Sequence, residues 1–177
     1  MKKADPKICA VCHRQLGGCC RLGQGRVEKM FGLTPTEVEW IAHASGLAPS
    51  QFTVRDEVPL STMNFFVELH PVFAQIMPGG KRVRLRLTGE GACWFLGPEG
   101  CRLPWEARPL YCRLYPMWFT PEGRIMVLIN PSCLAQRGAS SWREVMKRVG
   151  LTEQLARELF SELLALAKAG VGQGQKR

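Results

Sequence analysis

The residues best suited to chemistry in this chain are its eight cysteines: Cys9, Cys12, Cys19, Cys20, Cys93, Cys101, Cys112 and Cys133. Cys9-Ala10-Val11-Cys12 is a CxxC, and two intervening residues let one tight turn aim both sulfurs at a single metal while backbone N–H groups point at them. Six residues later, after a loop ending Gly17-Gly18, comes the vicinal pair Cys19-Cys20. Glycine there lets backbone approach a cluster closely. This spacing is not the symmetric CxxC pair of a zinc ribbon. Adjacent side chains diverge in most backbone conformations, so the pair either supplies one ligand and one packed thiol or faces two different metals. Eight cysteines suffice for two four-ligand sites. The later cysteines sit among aromatics: Cys93-Trp94-Phe95, Cys101 before Trp105, and Tyr111-Cys112 before Tyr115 and Trp118. An apolar shell around a thiolate site lowers the dielectric and excludes water; the same aromatics can also be ordinary core residues.

Thiolates in this number select soft metals. An iron–sulfur cluster of the 4Fe–4S type is preferred, because the ligands look all-sulfur, the shell is aromatic and the cysteines exceed what one zinc needs. Zn2+ is the other choice. Structural disulfides compete with both readings, since the cysteine count is even. The chain opens Met1-Lys2-Lys3-Ala4-Asp5-Pro6-Lys7 without an apolar run, so no secretory signal is expected and a reducing cytoplasm is the default. Unligated buried thiols are a further alternative. A nucleophilic cysteine would need a positioned base. The histidines are His13, His43 and His70, of which His43 falls mid-helix and His70 precedes Pro71. There is no P-loop, HExxH or GxGxxG. No independent catalytic motif is present, and the best enzymatic reading is a redox-active component of an oxidoreductase or protein-modification enzyme.

The net charge is +9, from 24 basic and 15 acidic residues. Four thiolates on one Zn2+ sum to a double negative charge, which nearby cations offset. Arg21, Arg102 and Arg113 each follow a cysteine directly, and Arg14 lies two residues after Cys12. Arg21 and Arg113 are therefore candidates to border the bound group. A nucleic-acid reading rests on Arg82, Arg84 and Arg86, which line one face of an alternating stretch. Such a stripe is usually a solvated face, and no standard zinc-finger spacing accompanies it.

Taken together, Cys9, Cys12, Cys19-Cys20-Arg21, Leu33-Thr34-Pro35-Thr36-Glu37, Cys93-Trp94-Phe95-Leu96, Gly100-Cys101, the block Arg108-Pro109-Leu110-Tyr111-Cys112-Arg113-Leu114-Tyr115-Pro116, and Cys133 form a pattern. It resembles the YkgJ-like cysteine-cluster family, named for a CxxCxxCC core and described as zinc- or iron-chelating. The likeness spans Cys9 to Cys133, and the Arg-Pro-x-x-Cys-Arg-x-x-Pro block is its most specific part. It implies a metal-binding role with all eight cysteines as ligand positions, and Arg108 beside the bound group with Arg21 and Arg113. The family core has two residues between the second cysteine and the Cys-Cys pair. Here there are six, His13 to Gly18, which brings His13 into play as a substitute ligand, against the plainer reading of a solvated loop histidine.

These residues need elements to hold them. Residues 1–32 are rich in Gly and Cys, without a clean period, and are expected to be irregular. Leu33-Thr34-Pro35-Thr36-Glu37-Val38 starts a helix: Thr34 caps, Pro35 suits the first turn, Glu37 completes a capping box, and Leu33 with Val38 forms the staple. Gly46 closes it after Ser45. A second helical stretch is expected from Thr62, interrupted near His70-Pro71 and stopped by Pro78-Gly79-Gly80. Val83 to Leu87 alternates as a half-buried strand, with Cys93 to Leu96 returning after a turn at Gly89-Glu90-Gly91. Ile125 to Ile129 reads as a buried strand. Ser141-Trp142-Arg143-Glu144 opens a helix with a capping box, and Thr152 to Ala169 is amphipathic, with Leu155, Leu159, Leu163 and Leu166 at helical spacing.

The expected class is α+β: one domain over residues 1–169, with a short antiparallel sheet and an irregular region organised by metal, then a disordered basic tail at 170–177. No apolar run is long enough to span a membrane. The expected partners are the metal ion or cluster and a redox protein, in electron transfer or metal handling. A zinc-stabilised module docking on a protein or nucleic acid is the remaining alternative.

Overall fold

The structure, a computed structural model, describes residues 10–12, 14, 19–22 and 30–169. The expectations for Cys9, for His13 and for the 170–177 tail lie outside the described residues. Within the first 32 residues, where irregular chain is expected, Ala10, Val11, Cys12 and Arg14 are helical.

Helix α1, Pro35–Ser45, begins as its sequence dictates. The Thr34 hydroxyl accepts the Glu37 N–H, Glu37 returns to the Thr34 N–H, and Gly46 terminates the helix at φ 68°. Leu33 is buried and Val38 packs in the same cluster, as a staple requires. A short helix α2, Pro49–Phe52, leads into strand β1, Thr53–Glu57. Helix α3 runs Leu60–Leu69, starting two residues before the expected Thr62, and His70-Pro71 ends it. Tight 3₁₀ turns at Pro71–Gln75 and Pro78–Gly80 carry the chain into strand β2, Lys81–Leu85. Strands β1 and β2 pair antiparallel, from Thr53 opposite Leu85 to Glu57 opposite Lys81.

That pairing corrects two expectations. The partner of β2 is β1, a strand without a clean period in sequence. The arginines of β2 are not a solvated stripe either. Arg82 is only 2% exposed and Arg84 half-buried, while Arg86 beyond the strand end is exposed. Asp56, opposite Arg82 in register, provides the reason. Its carboxylate accepts from Arg82 Nε at 3.0 Å and Arg84 Nε at 2.6 Å. A fixed carboxylate and the Met30 carbonyl, which also accepts from Arg82, make burial of that guanidinium tolerable.

After β2 the chain forms isolated bridges, Leu87 opposite Cys93 and Arg21 opposite Ala92, in place of a full returning strand. A minimal hairpin follows, β3 (Leu96–Gly97) with β4 (Gly100–Cys101). A 3₁₀ turn, Trp105–Ala107, leads into the short helix α4, Leu110–Leu114. Strand β5, Met117–Phe119, pairs antiparallel with β6, Ile125–Val127. Strand β6 is half-buried and not wholly buried as expected, and Ile129 beyond it is 83% exposed. Helix α5, Trp142–Arg148, is capped by Ser141 as expected, but Glu144 turns back to Ser140 N–H and Oγ, so the box closes one residue early. Helix α6, Glu153–Ala169, buries Ala156, Leu159, Phe160, Leu163 and Ala167, whereas Leu155 and Leu166 lie at the edge of that face.

The class is α+β, with helices and three two-stranded antiparallel sheets among the described residues. No described helix is long and apolar enough to cross a membrane. Two buried clusters form. The larger is aromatic, with Phe31, Phe66, Phe73, Trp118 and Phe160 in mutual edge contacts and Tyr111 stacked on Phe31 at 5.1 Å. Burying several such rings supplies much of the apolar area a chain of this length needs. The smaller cluster comprises Leu33, Ile41, Phe52, Leu85, Phe95 and Leu103, and Cys93, Trp94 and Cys101 pack against it.

Candidate metal centre

The cysteine-bearing segments meet through backbone pairing. Cys93 N–H donates to the Cys20 carbonyl at 2.7 Å, and Leu22 N–H donates to Gly91 O at 2.9 Å, so the stretch carrying the vicinal pair runs beside Gly91–Cys93. The β3–β4 register sets Leu96 opposite Cys101, and Leu96 N–H donates to Cys93 O at 2.9 Å, which holds Cys93 and Cys101 on one hairpin. Gly100 adopts φ +104°, a conformation side chains rarely take, and a Cβ there would lie 3.7 Å from Ala10 Cα. The CxxC segment thus abuts the hairpin turn that precedes Cys101.

Cys112 comes from α4, whose start is held from a distance. Glu37, 1% exposed, uses Oε1 to accept the Leu110 N–H at 2.8 Å while Oε2 accepts the N–H and hydroxyl of Thr34. Burial raises the Glu37 carboxyl above its usual range, against those hydrogen bonds, and its charge reaches the Cys112 thiol. Cys112 has accessible surface, yet desolvation dominates its thiol and pushes it well above the ordinary value. Besides Glu37, the groups that add to this rise are the thiols of Cys20, Cys93 and Cys101.

Burial raises Cys93 to about 12, with Cys20 and Cys101 adding to the effect, and raises Cys101 as well. Cys20 is pushed up first by a hydrogen bond with the Cys19 thiol and then by burial. Against burial stand groups that favour thiolate. The backbone N–H of Phe95 points at the Cys93 sulfur and that of Leu103 at the Cys101 sulfur, each two residues on. The N–H groups of Ala135 and Gln136 do the same for Cys133. Amides aimed at a sulfur stabilise its anion, which is the form that binds metal.

The arginines divide by surroundings. Arg108 donates to Leu103 O at 3.0 Å and Cys101 O at 3.3 Å, and its charge favours the thiolates of Cys20 and Cys101. Arg102 acts likewise on Cys93 and Cys101 while donating to Trp94 O at 2.6 Å. Arg113, expected at the bound group, instead lies 5.5 Å from the Trp105 ring centroid and faces the charges of Glu162, Glu106 and Glu37. On a helix, successive side chains point about 100° apart, so following a cysteine directly carries Arg113 away from the sulfur. Arg21 is exposed, lines an open groove with Thr88, Leu96 and Pro98, and pairs with Glu90 at 4.0 Å. Arg14 pairs with Glu99 at 3.0 Å across exposed surface.

Cys12 lies against the turn that carries Cys133 and also acts on Cys20. The Cys12 thiol donates to Ser132 O at 3.8 Å, and its charge acts on Cys133. The Tyr115 phenol, raised to about 12 by burial, feels Cys19, Cys133 and Cys12. All seven described cysteines are free thiols. Among the described residues, no three His, Cys, Asp or Glu side chains stand close enough together to hold a metal ion as they are. Free thiols on paired backbone segments, with guanidiniums nearby, are the donor type that thiophilic metals take. No motif in the sequence points to Asn130 or Gln136, which with Tyr115 build the Cys133 turn. Their only signal was proximity to a cysteine. No protein-family model matches the chain, nor does any curated protein or solved structure.

Proposed function

We propose that this chain binds an iron–sulfur cluster or a zinc ion through the thiolates of Cys20, Cys93, Cys101 and Cys112, for electron transfer or metal handling. The observation that supports the reading is the backbone pairing that brings the Cys20 stretch beside Cys93 and sets Cys93 and Cys101 on one hairpin, with Arg108 and Arg102 bonded to the carbonyls of that hairpin. A bound metal or cluster would supply redox or Lewis-acid chemistry. The protein's own part is to hold the sulfurs, offset their charge and exclude water with Phe95, Leu103 and the aromatic core. The iron–sulfur form is preferred, because the donors are all sulfur and partly desolvated. As a redox-active centre it could serve within an oxidoreductase. The resemblance to the YkgJ-like cysteine-cluster proteins agrees with a chelating role.

Metal analysis and an absorption spectrum of the anaerobically purified full chain test this, together with hydrogen exchange before and after chelation. Stripping the metal should lower protection at Leu22 and Cys93 by at least about tenfold, since ligation energy is folding energy for the segments it joins. Leu159 and Leu163 in α6 should keep theirs. Absence of stoichiometric iron or zinc, or unchanged protection at Cys93, would overturn the proposal.

A further inference from the structure

We infer that the outer edge of β1 joins a second copy of this chain, two β1 strands pairing antiparallel about a two-fold axis to make one continuous sheet. The direction of the backbone groups leaves that edge open. Arg86 N–H donates to Phe52 O and Val58 N–H donates to Gly80 O, each at 2.7 Å, at the two ends of the β1–β2 ladder. Bonded pairs alternate with non-bonded pairs in an antiparallel ladder, so the even-numbered residues of β1 bond β2. Thr53, Arg55 and Glu57 turn their N–H and C=O groups the other way. The same alternation turns the Val83 carbonyl of β2 outward, where it accepts the Leu33 N–H at 2.7 Å. The outer edge of β1 has no such cover. Its sheet ends there, the Thr53 N–H folds back to Pro49 O, and among the described residues no group bonds the outward main chain of Arg55 or Glu57.

An open edge accepts a further strand, and charged side chains along it normally deter one. Here the charges select a partner. Registers that pair the free groups of Arg55 and Glu57 among themselves are centred on residue 55, 56 or 57. The first sets Arg55 against Arg55 and the last Glu57 against Glu57, and like charges directly opposite repel. The register centred on Asp56 sets Arg55 of each copy against Glu57 of the other, with these exposed side chains on one face. On the opposite face Val54 meets Val58 of the second copy. The two Asp56 carboxylates meet at the axis, but each is already held by Arg82 at 3.0 Å and Arg84 at 2.6 Å, so they bring no net negative charge. Pro59, which has no N–H, falls opposite Thr53 of the second copy and ends the ladder just past the Arg55–Glu57 pairs. The contact is isologous, as two-fold symmetry requires, and so short a ladder makes a reversible dimer.

Sedimentation equilibrium of the full-length protein in reductant tests this. Wild-type protein should dimerise reversibly, and raising the salt to about 0.5 M should weaken the dimer by screening its exposed ion pairs. Arg55→Glu and Glu57→Arg should each raise the dimer dissociation constant at least about tenfold, since each sets like charges opposite one another in both contacts. An equimolar mixture of the two variants should associate at least as tightly as wild type, because one strand is then acidic at both positions and the other basic at both. Recovery in the mixture also shows that both variants are folded. Wild-type protein that stays monomeric up to about 1 mM overturns the inference. So does a dimer indifferent to salt, a pair of single variants that dimerise as wild type does, or a mixture that remains monomeric.

Discussion

The carboxylate of Glu37 accepts the backbone N–H of Leu110 at 2.8 Å across 73 positions of sequence. One side chain thereby completes the capping box of α1 and satisfies the first amide of α4, the helix that carries Cys112. A helix start leaves N–H groups without intrahelical partners, and α4, five residues long, has no side-chain cap of its own. Glu37→Ala should therefore cost about 2–4 kcal/mol, because it strands three buried donors, the Thr34 N–H and hydroxyl and the Leu110 N–H. Glu37→Gln, which keeps one acceptor oxygen, should cost less. Urea unfolding of both variants checks this; a cost below about 0.5 kcal/mol for Glu37→Ala would show that Leu110 and Thr34 find other acceptors.

Asp56 sets an acid limit. Burial alone would raise its carboxyl, but hydrogen bonds from Arg82 and Arg84 outweigh it and hold the group below the usual range. A lowered folded value means the contribution is fully present above the unfolded value of about 3.9 and is lost as pH falls through the folded value. Thermal unfolding should thus show wild-type stability dropping below about pH 4. Asp56→Asn should be less stable near neutrality and lack that part of the slope. Parallel pH profiles for the two proteins would refute the assignment.

Arg108 and Arg113 should differ in kind. Arg108 braces the Cys101 loop through two carbonyls and lies within reach of two thiols. Arg108→Ala should release bound metal to a competing chelator at least about tenfold faster, within the range typical of lost supporting contacts. Arg113→Ala should cost roughly 0.5–1 kcal/mol, from its stacking on Trp105, and leave metal retention unchanged. The opposite ranking would return Arg113 to the place its sequence position suggested.

The sequence alone determined what depends on neighbours along the chain. Thr34, Pro35 and Glu37 specify a helix start, and Gly46 its end, because capping is an exchange among residues three or four apart. The apolar face of Glu153–Ala169 was legible for the same reason, since helical period is local. The cysteine inventory and the suitability of thiolates for soft metals were equally plain. Tertiary structure decided the groupings. Strand β1 was missed because Thr53 to Glu57 lacks a clean alternation and is a strand only against Lys81–Leu85. Arg82 is buried because Asp56 faces it from that strand, which no reading of β2 alone could supply. Motif spacing left open which of the eight cysteines stand together. Backbone pairing places Cys20 beside Cys93 and sets Cys101 on the same hairpin as Cys93, while Cys12 reaches the carbonyl of Ser132 beside Cys133; Cys9 lies outside the described residues. Which sulfurs become neighbours is fixed by long-range pairing, such as Cys93 N–H on Cys20 O, and motif spacing constrains only ligands on the same turn of chain.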